Sequence, residues 1–185
     1  MTDHEQLLKL LQARSFRTGD FILASGRRSP YYVDARLTTM SAEGQRLVGG
    51  LGLAAIRKQG WQPDAVGGLT MGADPLAYAI AHASAGTPSI LDAFTVRKEA
   101  KGHGGGRRIE GNFRPGDSVV VVEDVITTGG SAIQAIDAVE NEGGKVVGVL
   151  ALVDREEGGK EAIEQRLNIA IVVALTTITE IAGDQ

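Results

Sequence analysis

Leu7, Leu8, Leu10 and Leu11 recur at helical spacing within residues 3–14, with Thr2 or Asp3 available as N-cap, and predict an amphipathic helix. Residues 16–23 and 31–37 are short and β-leaning, and the turn-rich SGRRSP between them makes a hairpin-like pair. Ser41 reads as the N-cap of a long helix that runs to Gln59. The pattern then changes. Residues 65–68, 89–94, 119–122, 145–153 and 169–175 are short apolar runs, strands by length and β-branching, and residues 73–85, 130–142 and 159–167 between them are helical. Strands apolar on both faces that alternate with helices form a parallel sheet of the doubly wound α/β kind. Residues 1–40 do not share the alternation and read as a small hood against a core of residues 41–185, the whole forming one domain. Thr177-Ile178-Thr179-Glu180 matches a capping box and starts a short final helix.

Composition sharpens this. Glycine makes up 25 of 185 residues, about twice its usual share, so the backbone must turn tightly or approach something closely at many places. The absence of cysteine excludes disulfides and thiolate metal sites. The opening MTDHEQLLKL is polar and acidic where a signal peptide is basic and then apolar, and no run reaches the length of a membrane span, so a cytoplasmic protein that binds no membrane is expected. The net charge of −4 speaks against nucleic acid as a partner. Residues 97–108 run the other way, with Arg97, Lys98, Lys101, Arg107 and Arg108 against Glu99 alone. One basic segment on an acidic chain suits an anionic small molecule. Its GHGGG stretch, residues 102–106, is expected to be a mobile loop.

Ligands of an open parallel sheet bind beyond the carboxyl ends of its strands. There the chain reads VVVVEDVITTGGSA at residues 119–132. Thr127, Thr128, Gly129, Gly130 and Ser131 bring hydroxyls and unencumbered backbone N–H groups to a helix N-terminus, where the dipole also favours a phosphate. Glu123 and Asp124 would repel that phosphate and suit sugar hydroxyls instead, or a Mg²⁺ reached through water. GLGLAA at residues 50–55 fits the dinucleotide pattern G-x-G-x-x-A, but no strand precedes it, and small residues within a helix serve close packing. No P-loop pattern occurs, and His4, His82 and His103 are not spaced as a metal site. Trp61 reads as a packing residue.

The segment VVVVEDVITTGGSA resembles the phosphoribosyl-diphosphate signature of type I phosphoribosyltransferases. Three others resemble one subfamily, the orotate phosphoribosyltransferases: FILASGRRSPYYVD at residues 21–34, VRKEAKGHG at 96–104 and LVDR at 152–155. The resemblance implies an α/β fold, a type I phosphoribosyltransferase-like core of a parallel sheet flanked by helices, with a small N-terminal hood. It implies transfer of ribose 5-phosphate from 5-phosphoribosyl 1-diphosphate (PRPP) to N1 of orotate in pyrimidine (UMP) synthesis, with Mg²⁺ accompanying the diphosphate and a homodimer as the working form.

By the same resemblance Thr127, Thr128, Gly129, Gly130 and Ser131 bind PRPP at its 5-phosphate, Val125 and Ile126 belong to the same PRPP site, and Glu123 and Asp124 meet its ribose hydroxyls. Arg97, Lys98, Lys101 and His103 belong to a loop that closes over the diphosphate and partly serves the neighbouring subunit, and Lys101 and His103 stabilise or protonate the leaving group. Lys101, His103 and Asp124 are thus the catalytic candidates, and no residue binds metal directly: Mg²⁺ is expected to come with the substrate diphosphate, with a water bridge to Asp124. Tyr31, Tyr32, Thr127 and Arg155 are the orotate contacts. The chain departs from some family members at Ala24 and Gly72, where those carry lysine, which leaves Thr70, Gly72 and the backbone of residues 68–73 to meet the diphosphate. Two competing readings are the same fold acting on a purine or uracil, and a sensor that keeps the phosphate loop without turnover. The basic loop and the Ser-Pro-Tyr-Tyr segment favour orotate transfer over both.

Overall fold

A computed structural model describes residues 1–22, 26–99, 107–168 and 171–183. Helix α1 (Asp3–Arg14) is opened by a capping box between Thr2 and Glu5 and buries Leu7, Leu10 and Leu11. Strands β1 (Phe16–Ile22) and β2 (Arg28–Val33) pair antiparallel as the expected hairpin. The second strand begins three residues earlier than expected, since Arg28 and Ser29 of the supposed turn pair with β1, and it ends earlier as well. After Asp34 the chain turns into the single helical turn α2 (Arg36–Thr39), because the Asp34 carboxylate accepts from the Arg36 backbone N–H and bends the backbone away from its partner strand. Helix α3 (Ala42–Lys58) begins at the Ser41 cap. GLGLAA lies inside it, and a Cβ at Gly52 would come within 2.8 Å of the Ile80 side chain, so the small residue serves packing.

The core alternates as its pattern predicts: β3 (Ala65–Leu69), α4 (Ala73–Ser84), β4 (Asp92–Val96), β5 (Ile109–Gly111), β6 (Ser118–Ile126), α5 (Gly130–Asn141), β7 (Lys145–Asp154), α6 (Gly159–Leu167), β8 (Val172–Thr177) and α7 (Ile178–Ala182). The sheet order is β5-β4-β3-β6-β7-β8, parallel except for β5. Three boundaries differ from expectation. Strand β4 starts at Asp92, because Thr87 ties residues 84–89 into a turn and the Leu91 N–H is held by Ser84 Oγ. Strand β6 runs past Val122 to Ile126, since its parallel ladder with β7 continues to Asp154, so Glu123 and Asp124 belong to the strand. Strand β8 spans Val172–Thr177, and Ile169 and Ala170 lie outside the described residues.

Two apolar layers sandwich the sheet. One gathers α1, α3, α4 and α7 around Val120, Val122, Leu150 and Leu152; the other gathers α5 and α6 around Val119, Val121, Val149 and Ala151. Each fully buried valine of β6 is worth about 1.5–3 kcal/mol of transfer free energy, which holds this central strand and the acids at its end in place. At the opposite end of the strands the Trp61 ring lies on the backbone of Gly148, where a Cβ would come within 2.5 Å of it.

Candidate active site

Beyond the carboxyl end of β6, residues 127–129 turn into α5, with Gly129 in the left-handed region at φ 81°. A cleft of about 260 Å³ opens there, lined by Glu123 and by Val125, Ile126 and residues 127–132. The first N–H groups of α5 have no partner inside the helix and converge on it. Glycine is required twice behind this turn. A Cβ at Gly129 would meet Gly159 O at 2.7 Å, and one at Gly159 would meet Thr127 O at 2.6 Å, so the loop is backed directly by the start of α6. Sequence reasoning missed Gly159, whose only sign was its place before a helix.

A second cleft of about 340 Å³ adjoins the first through Glu123, Val125 and Ser131. Tyr32, Asp34, Arg36, Thr70, Met71, Gly72, Lys98 and Asp124 line the rest of it. Glu123 is 7% exposed, and its Oε2 has no hydrogen-bond partner. Burial first, and the neighbouring Asp124 second, push its carboxyl well above the ordinary range. Burial raises Asp124 as well, against the Val125 N–H that it accepts at 2.9 Å. Asp124 lies so close to the β3–α4 turn that a Cβ on Gly72 would approach its Oδ1 to 2.5 Å.

Thr70 lines this cleft with both of its donors already engaged. Its N–H donates to Val96 O at 2.8 Å, and its hydroxyl donates to Asp74 Oδ2 at 2.7 Å. Asp74 also accepts from Thr95 Oγ1 at 2.9 Å, which fixes the turn. Arg36 and Asp34 were not singled out from the sequence, although the D-x-R spacing after the tyrosines was its visible sign. They form a two-point ion pair, with Nε to Oδ1 at 2.8 Å and Nη2 to Oδ2 at 3.0 Å. The Arg36 hydrogen bond holds the Asp34 carboxyl below its ordinary value, and Asp34 in turn raises Arg36.

The two tyrosines diverge, as neighbours on a strand must. Tyr32, 40% exposed, faces the second cleft beside Phe21, whereas Tyr31 packs on Phe16 and under the Arg155 guanidinium at 4.6 Å. Arg155 is 4% exposed at the end of β7, and donates to Glu157 Oε1 at 2.8 Å and to Ser29 Oγ at 3.1 Å. Arg27 pairs with the same Glu157. Lys98 is exposed at the rim, while Arg97 points to Glu110 at 3.6 Å, and Arg108 donates to the carbonyls of both loop residues. Lys101, His103 and the expected mobile loop of residues 102–106 lie outside the described residues, as does Ala24.

This geometry joins a glycine turn at a helix N-terminus, a pair of carboxyl groups and a cationic rim at one end of a parallel sheet. The family described as phosphoribosyl transferase domain matches residues 44–169. An orotate phosphoribosyltransferase of Aquifex aeolicus is 48% identical over 168 residues, covering 89% of this chain and 91% of its own. This chain belongs to the orotate phosphoribosyltransferase family. A crystal structure of the Mycobacterium tuberculosis H37Rv orotate phosphoribosyltransferase in complex with Fe(III) dicitrate has TM-score 0.85 and 41% identity, covering 98% of this chain and all of that one. Another crystal structure of that enzyme, in complex with 5-phospho-alpha-D-ribosyl 1-diphosphate, has TM-score 0.81 and 36% identity at the same coverage.

Proposed function

We infer that the chain transfers ribose 5-phosphate from PRPP to orotate, giving orotidine 5′-phosphate and diphosphate, as the family's name states. The observation that carries the reading is the continuity of the two clefts, with Glu123 between the phosphate cradle and the rim. The 5-phosphate sits on residues 127–131, and Glu123 and Asp124 accept from the ribose hydroxyls. As the bond from C1 to the diphosphate oxygen breaks, its electron pair leaves with diphosphate and positive charge grows on the ribose; the two carboxyl groups beside the ring favour that charge. Orotate N1 then bonds to C1 and gives up its proton to solvent, from which the donor to the leaving diphosphate is reprotonated. Arg155, Tyr31 and Tyr32 are the base contacts of this reading, and Lys101 and His103 supply charge and a proton to the leaving group, with Arg97 and Lys98 at the foot of their loop.

Oxygen donors suit Mg²⁺. The ion would accompany the diphosphate, and Asp124, which lines the second cleft, would hold it through water. Bound there, Mg²⁺ would neutralise charge on the leaving group. The homodimer and a place in pyrimidine synthesis in the cytoplasm complete the proposal. Among the described residues no helix is long and apolar enough to cross a membrane.

Orotate consumption, followed by ultraviolet absorbance with PRPP and Mg²⁺ beside adenine, hypoxanthine and uracil as rival acceptors, tests the reading. Loss of orotate alone, stopped by chelation, is the expected result. Consumption of another base overturns the assignment of the base site, and PRPP binding without turnover overturns the enzyme.

A further inference from the structure

The second cleft is lined by the carboxyl groups of Asp34, Glu123 and Asp124, and among the described residues the cations facing them are Arg36 and Lys98. The ligand of the proposed reaction carries most of its negative charge on a diphosphate, which calls for cationic groups at the wall of such a lining. The β3–α4 turn cannot answer this with a side chain. Thr70 has spent both donors within the protein, and position 72 has no room for a Cβ beside the Asp124 carboxylate. Lys98 is exposed on a long flexible stem at the cleft's rim.

Arg36 is different. Its guanidinium is clamped by Asp34 at two points, and its backbone N–H donates to the same carboxylate at 3.2 Å. The clamp uses Nε and Nη2; among the described residues Nη1 has no hydrogen-bond partner, and the side chain is 45% exposed. The charge of Arg36 reaches Asp124, which it lowers. A planar fork with one edge fixed and the other open is pre-organised for a phosphate oxygen and loses little side-chain freedom on binding.

We propose that Arg36, positioned by Asp34, is the fixed cation of this cleft and binds the diphosphate of PRPP through its open edge. The hood thereby contributes to binding of the diphosphate, and Asp34 acts as a positioning residue. This rests on the reading of the cleft as the PRPP site.

The test compares Arg36→Gln, Arg36→Lys and Asp34→Asn with the parent chain. KM for PRPP, KM for orotate and kcat are measured, and inorganic diphosphate with Mg²⁺ is titrated calorimetrically. For Arg36→Gln the KM for PRPP rises about tenfold or more and diphosphate binding weakens alike, the loss of one charge-assisted hydrogen bond, while KM for orotate stays within about twofold. Arg36→Lys recovers part of the loss, because it restores the charge without the fork, and Asp34→Asn loses less than Arg36→Gln. An unchanged KM for PRPP and unchanged diphosphate binding in a folded Arg36→Gln overturn the proposal, as does an equal loss for orotate. If the parent chain turns over no orotate, the functional reading fails, and the diphosphate titration still decides whether Arg36 binds this anion.

Discussion

Glu123 shows how much a single carboxyl can carry. It is buried, its Oε2 is unpaired, and burial together with Asp124 raises its affinity for a proton. A group whose folded-state pKa lies above its unfolded value favours the fold fully below the unfolded value and loses that contribution as pH rises through the folded one. Starting from the ordinary value of 4.5, the contribution of Glu123 to the stability of the ligand-free chain therefore falls as pH rises. Glu123→Gln abolishes this titration. Its melting temperature relative to the parent should climb between acidic and mildly alkaline pH, although its turnover falls; a flat difference across that range would show that Glu123 does not titrate with folding. Gly72 sets the limit on the other side of the pair. Gly72→Ala forces the Asp124 carboxylate to move, and KM for PRPP should rise with little change in KM for orotate. Glu123, Asp124 and Gly72 were all legible as residues, because their place after an apolar run marks the carboxyl end of a strand. Arg36 was not, because a lone arginine beyond a hairpin carries no periodic signal until the fold turns it toward Asp124.

At the scale of elements the turn from β6 into α5 depends on two glycines, the cap of α5 and the first residue of α6. Gly129→Ala would put a Cβ in the left-handed region, at about 1–2 kcal/mol, and against Gly159 O as well. The expected outcome is a lower melting temperature together with weakened PRPP binding. Thr177→Ala removes the cap of α7, far along the chain from the cradle, and should cost about 1 kcal/mol with kinetics unchanged. The parallel strands were readable because each is a buried β-branched run of ordinary length. The sequence reading missed β5, since three residues give no alternation to detect, and only their antiparallel pairing with β4 makes them a strand. The turn α2 was hidden for the same reason, as its Leu37 and Thr38 continue a β-like composition that Asp34 interrupts.

At the scale of the molecule, hood and core meet at Arg155. Its guanidinium, at the end of β7, holds Ser29 and the Tyr31 ring of β2, while Glu157 neutralises it. Arg155→Ala should raise KM for orotate and, by removing the Ser29 hydrogen bond and leaving the part-buried Glu157 to Arg27 alone, destabilise the fold by about 2 kcal/mol. A melting temperature unchanged from the parent would mean that the hood is held by its other contacts. This fastening was not legible in the sequence, because Ser29 and Arg155 are 126 residues apart and neither looks unusual alone.

The far end of the sheet has a use of its own. Trp61 is the only tryptophan in the chain, and it rests on Gly148 at the end of the strands opposite the clefts. Its fluorescence is therefore a built-in gauge of whether the sheet is intact, and it should stay silent when substrates come and go. Unfolding curves read from that one ring can be laid beside kinetic data without either signal contaminating the other.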